Sequence, residues 1–504
     1  MPDGDSSKRQ RGGRNQRREA RAQGNVVHRP YIVRGIPTYD ILSDESLSKI
    51  EATTERILAE IGIELREDAE AMRLYRKAGA HVTETAPEVW RLKFEPGMLR
   101  EILRTAPAEF TQHARNPANS VRIGGKNVVF APSYGSPFVM DLDRGRRYGT
   151  IEDFQNFVKL SQSSPWLHHS GGTVCEPTDV PVNKRHLDMV YSHIRYSDRA
   201  FLGSITAAER AADSVEMCRI LFGADFVDAN CVVMGNFNTT SPLVLDGVTT
   251  AGIRAYAAAN QGSIHLPFLL GGAVAPLTIA VSVAQTQLVR PGSPAILARF
   301  FSSMSLKSGS PTFGTPEPAI GSLVMGQLAR RLNLPLRCAG NFSTSKLPDG
   351  QAMQQSMMSM MSAVQGGANY VLHSAGFLDG LLSMSYEKLV MDTDMCGALH
   401  SYLDGMAVDE DALAFDALAE LGPGQHLFST QHTLRHYETA YWDSALDDNQ
   451  PWETWDEQGG VDYAQRANAR WKKLLREYEA PPIDQGVDEA LLDFIARRKG
   501  AMPD

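Results

Sequence analysis

Aromatic rings and amides, more than acids and bases, recur where the apolar runs of this chain end. Tyr134, Phe138, Phe237, Phe301, Phe342 and Phe377 lie in or just beyond such runs, in the company of Asn238, Lys346 and His373. Rings gathered around a cation attract it through their quadrupoles, which is how quaternary ammonium groups are held. The competing reading is that the rings fill a core. Arg299 stands inside the run ILARFF, where a charge is costly unless paired. Its guanidinium can take a ligand carboxylate in a bidentate contact, or pair with an acid such as Glu176.

Other chemistries lack their parts. No run ends in GxGxxG with an acid downstream, and GxxxxGK[ST], HExxH and GxSxG are absent, so nucleotide binding, zinc proteolysis and serine hydrolysis are unsupported. His168, His169 and Cys175 share one run beside Glu176. They could serve a metal-dependent lyase or hydrolase, but their spacing fits no zinc pattern and no metal is expected.

The elements that must position these side chains repeat. Eight apolar, β-branched-rich runs begin at Val128, Leu167, Ala200, Cys231, Pro267, Ala295, Leu336 and Tyr370. Start-to-start spacings are 39, 33, 31, 36, 28, 41 and 34 residues, with helical patterns such as RHLDMVYSHI between them. Near-continuous apolar strands alternating with helices mean a parallel sheet covered on both faces. Eight such units fit a (β/α)8 TIM barrel of roughly 250 residues. The GNF tripeptides at Gly235 and Gly340 then end the fourth and seventh strands. Site residues are expected at the C-terminal strand ends. The fifth crossover, TIAVSVAQTQLVRPG, reads as shorter than its helix should be. The expected domains are a disordered basic tail (1–29), a helical segment (30–120), the barrel (121–408) and a helical extension (409–504).

Composition bounds the function. The net charge is −9 although seven of the first 22 residues are Lys or Arg, so the body is acidic and does not favour nucleic acid. Five scattered cysteines form no disulfide framework and point to a reducing, cytoplasmic setting. Ile264 to Ala284 carries no charge, but its prolines and glycines favour a buried strand, a turn and a helix start over a membrane span. Three tryptophans among acids, Trp442, Trp452 and Trp455, suggest a subunit contact, and a homo-oligomer is expected.

Several long segments resemble a family: ILAEIGIEL, FTQHARNP, GGKNVVFAP, MDLDRGRRYGTIEDF, HHSGGTVCEPTDVPV, STSKLPDGQA, GANYVLHSAGFLDG and QHTLRHYETAYW. Together they are similar to the trimethylamine methyltransferase family, in the branch without pyrrolysine that includes glycine betaine methyltransferases. The resemblance implies a barrel, a methylated amine as donor and a separate corrinoid protein as methyl acceptor, with no cofactor tightly bound by the chain itself. The missing pyrrolysine turns the expected donor from trimethylamine toward a quaternary nitrogen. Such a donor releases a neutral amine, and cobalt(I) is itself the nucleophile, so a mouth without acid–base machinery suffices. Two alternatives stand beside this: a barrel that binds a quaternary ammonium without turning it over, and a trimethylamine methyltransferase proper.

Overall fold

The computed structural model describes residues 28–503, apart from 241, 271–275, 299 and 306. Its contacts divide the chain into two units, Arg29–Gly405 with Val461–Asp504, and Met1–His28 with Met406–Gly460.

The larger unit is a mixed α/β structure built on a curled parallel sheet. Its strands follow the order Phe201–Leu202, Val233–Thr239, Gly262–Leu270, Ala295–Ala298, Leu336–Ala339, Tyr370–Leu372 and Asn127–Phe130. Both faces are buried. Val128 and Phe130 join the cluster under the helices, while Val129 and Ala131 join the inner cluster with Met234, Ile264, Ile296 and Leu372. This alternation is the period-two signature of a strand covered on each side.

The run at Leu167 is not a strand. Gly171 has φ +92°, which breaks extended geometry, and the side chain of His168 replaces a backbone acceptor by taking the Phe130 N–H at 2.8 Å. The segment nevertheless bonds to both neighbours. His168 N–H donates to the Phe130 carbonyl at 3.0 Å and Ser170 N–H to that of Ala200 at 2.9 Å.

Elsewhere the structure corrects the sequence reading. The segment 30–120 is not wholly helical. Helices Asp44–Glu60, Ala69–Ala78 and Met98–Leu103 are present, capped by Ser43 and Asp68 in the first two cases. Between them, however, Ile63–Arg66, His81–Ala86 and Val89–Lys93 form an antiparallel sheet. Val89–Lys93 alternates, with Trp90 and Leu92 buried. The fifth crossover is not shortened, since Pro276–Val289 is a 14-residue helix. No helix among the described residues is long and apolar enough to cross a membrane.

The single C-terminal extension also divides. Helices Tyr463–Arg476 and Gln485–Gly500 belong to the larger unit. Trp471 packs on Tyr386 and donates to Glu387 at 2.9 Å, and Leu491, Phe494 and Ile495 join the cluster around Val215 and Cys218. The smaller unit holds the short helices Glu410–Leu413, Phe415–Leu421, Gln431–His436 and Trp452–Glu457. Of its described apolar side chains, Ala417 and Leu446 are buried, whereas Phe415, Phe428 and Tyr441 are largely exposed.

Candidate functional site

The C-terminal ends of Leu336–Ala339 and Tyr370–Leu372 bring four rings together. Phe342 lies 4.9 Å from Phe313, 4.9 Å from His373 and 5.7 Å from Phe377, and His373 lies 4.8 Å from Phe377, centroid to centroid. His373 takes a positive φ of 67°, costly for a non-glycine residue, so the surrounding chain must hold it there. The N–H of Tyr134 donates to its Nδ1 at 3.1 Å, and Asn341 N–H donates to its carbonyl at 2.7 Å. Burial, reinforced by Arg337, holds the His373 imidazole well below its usual pKa. It is therefore a neutral ring at physiological pH, with no charge to repel a cation.

Polar groups line the strands beneath. Arg337 is fully buried, its pKa lowered to about 10 by burial, and pairs in register with Tyr370. Asn236 is buried in the strand Val233–Thr239, in register with Ile264, and its Oδ1 has no hydrogen-bond partner among the described residues. Tyr134 stands at a small pocket with Thr173, Ser204 and Thr206; burial pushes its phenol up to about 12.

A buried ion pair supports the rings from behind. Lys388 and Asp392, both fully buried one helical turn apart, are in contact, and Lys388 Nζ also donates to Ser356 at 2.8 Å. The free oxygen of Asp392 accepts the N–H of Gly376 at 2.8 Å, which fixes the residue before Phe377.

Of the residues picked from sequence, Tyr134, Phe342, His373 and Phe377 come together. Phe237 does not. It faces the helical layer with Val233, packs on Tyr256 at 5.6 Å and is seated against Gly252, where a Cβ would come within 2.8 Å of its ring. The cause is strand parity: Met234 points inward, so Phe237 points out. Phe138 lies in a hairpin, its ring tilted against Tyr148 at 4.7 Å and covered by Arg146 at 3.5 Å. Glu176 pairs with Arg185; Arg299 lies outside the described residues. Lys346 is exposed, 3.6 Å from Asp379. Asn238 is exposed at the end of its strand, and Phe301 lies on the strand Phe300–Met304.

The suggested metal set around His168 does not converge. His169 accepts the Gly171 N–H on Nδ1 at 3.0 Å and meets Gln112 through Nε2 at 3.2 Å. His168 faces the opposite side, stacked on His400 at 4.9 Å. Burial raises the Cys175 thiol well above its usual pKa, far from the thiolate a metal needs.

Sequence reasoning missed Phe313, Arg337 and Asp392. Phe313 sits in a glycine- and proline-rich segment without periodicity, and Arg337 is disguised inside the run LRCA.

Comparison with known proteins agrees with the sequence motifs. A glycine betaine methyltransferase of Desulfitobacterium hafniense (strain Y51) is 39% identical over 475 residues, covering 92% of this chain and 98% of the relative. A proline betaine:corrinoid methyltransferase of Eubacterium limosum is 25% identical, covering 87% and 94%. A trimethylamine methyltransferase of Desulfitobacterium hafniense (strain DSM 10664 / DCB-2) is 24% identical, covering 90% and 92%. The family described as Trimethylamine methyltransferase (MTTB) matches residues 10–503, and the chain belongs to that family.

Proposed function

We propose that this protein moves a methyl group from a quaternary amine of the glycine betaine class to the cobalt(I) of a corrinoid carried by a separate protein. The observation that carries the reading is the 39% identity to a glycine betaine methyltransferase along almost the whole chain. The cluster of Phe313, Phe342, Phe377 and neutral His373 supports it, because a quaternary ammonium is held by rings and needs no proton donor to leave. The corrinoid supplies the nucleophile; the chain's task is to aim the donor and exclude water. We assign the ammonium to these rings, with Tyr134 beside them.

The curled sheet is read as an eight-stranded barrel closed through residues 167–171. The hydrogen bonds from that segment to Phe130 and Ala200 support closure. Five free, buried cysteines fit a reducing cytoplasm, and the exposed rings of Phe415, Phe428 and Tyr441 fit a homo-oligomer. The 14-residue helix Pro276–Val289 removes the reason for suspecting a non-catalytic relative.

The test is a panel of donors given to the purified protein with reduced corrinoid under anaerobic conditions, followed by corrinoid absorption. Glycine betaine or a close relative should be consumed and trimethylamine should not. Turnover of trimethylamine alone overturns the assignment of the donor.

A further inference from the structure

The smaller unit contains a second cluster with its own chemistry. His432 and His436 stand one turn apart in Gln431–His436, the i, i+4 spacing that puts two imidazoles on one side of a helix. Asp411, from Glu410–Leu413, faces them. One ring nitrogen of each histidine and one carboxylate oxygen lie within 4.8 Å of one another.

Contacts within the unit orient all three groups. Nε2 of His436 pairs with Oδ2 of Asp411 at 2.6 Å. The other oxygen, Oδ1, is held by Arg435 at 2.9 Å, an outer contact that orients the carboxylate with Oδ2 toward His436. Nε2 of His432 lies 2.7 Å from the Asp411 carbonyl oxygen. Donation there holds the ring while Nδ1 keeps a lone pair.

An independent observation explains what a metal would do. Residues 406–460 bury few apolar side chains, and a segment of that size with so little core needs a staple. Asp411 and His436 are separated by 25 residues of chain; one ion binding both joins the start of the unit to its middle.

We propose that Asp411, His432 and His436 bind a divalent transition-metal ion, zinc by preference, as a structural clamp on residues 406–460. Two imidazoles and one carboxylate suit zinc, cobalt or nickel over magnesium or calcium. The partly exposed side chains leave solvent to complete the coordination. All three ligands come from the smaller unit, whereas the ring cluster belongs to the larger one.

The test uses the full chain, stripped with a chelator and titrated with cobalt(II). Visible d–d absorption should saturate at one equivalent per chain and disappear when zinc is added. It should be lost in His432→Gln and His436→Gln and weakened in Asp411→Asn. Zinc should also slow proteolysis within 406–460 in the native chain, a readout that needs no variant. Absorption unchanged in the His432→Gln/His436→Gln double variant overturns the assignment. So does a native chain that binds no stoichiometric zinc in competition with a chelating dye.

Discussion

The backbone N–H of Tyr134 donates to Nδ1 of His373 at 3.1 Å, joining the first strand end of the parallel sheet to the last. The bond makes Nδ1 an acceptor and leaves the proton of the neutral imidazole on Nε2. His373→Ala should therefore orphan a buried donor, lowering stability by about 1–3 kcal/mol, and reduce methyl transfer at least tenfold. His373→Asn, which can offer an acceptor near the position of Nδ1, should recover much of the stability. Denaturant titration and the corrinoid assay check the pair; equal stability of the two variants contradicts the role given to this bond.

Rings in contact with a cation and rings in a core respond differently to truncation. Phe342→Ala and Phe377→Ala should weaken betaine binding by roughly 2- to 30-fold, from about 0.5–2 kcal/mol per cation–π contact. Phe237→Ala should cost about 3–5 kcal/mol of stability through the cavity left against Tyr256 and Gly252, with affinity unchanged in the folded fraction. Calorimetry paired with melting curves separates the two effects. Loss of affinity in Phe237→Ala without loss of stability would put that ring back in the site.

The contrast between Phe342 and Phe237 shows what the sequence could reveal. Runs of apolar residues alternating with helices disclosed the parallel α/β order, because such strands need no polar face. Which way a ring points depends on strand parity, and parity could have been read from Met234 and Val233 once one was placed inward. The antiparallel strands Ile63–Arg66 and Val89–Lys93 were harder, being short and lodged between true helices. The ion pair of Lys388 and Asp392 is hidden because i, i+4 charges usually mark a solvated face, and only packing shows that this face is covered.

Buried histidines set an acid limit on stability. Burial lowers His193 to about 4 and His265 to about 3, and holds His169 and His373 well below their usual value. Their folded pKa values lie below the unfolded value of about 6.5, so the unfolded chain binds more protons in between. Their stabilising contribution is complete above about pH 6.5 and is lost as pH falls, by up to about 1.4 kcal/mol per pH unit for each histidine. Asp392, raised to about 6 by burial, acts in the opposite sense with one proton. The melting temperature should hold from pH 8 to 7 and fall steeply between pH 6.5 and 5. A flat profile across that lower range would contradict burial of these rings as neutral groups.

The pair Lys388–Asp392 allows structure and ligand positioning to be tested apart. Removing one partner leaves a buried charge uncompensated, so Lys388→Met and Asp392→Ala should each cost about 3–5 kcal/mol. The two groups share one contact, so the double variant Lys388→Met/Asp392→Ala should lose less than the sum of the singles. Position 392 has a second duty, since its carboxylate accepts the N–H of Gly376 at 2.8 Å beside the ring of Phe377. Asp392→Asn keeps an acceptor there and removes the charge, whereas Asp392→Ala removes both. Among folded molecules, Asp392→Asn should bind betaine within about threefold of the native chain, because the ring it positions is retained, while Asp392→Ala should bind at least as weakly as Phe377→Ala, about tenfold down. If Asp392→Asn and Asp392→Ala lose affinity equally, the carboxylate acts through its charge and the hydrogen bond to Gly376 does not position the ring.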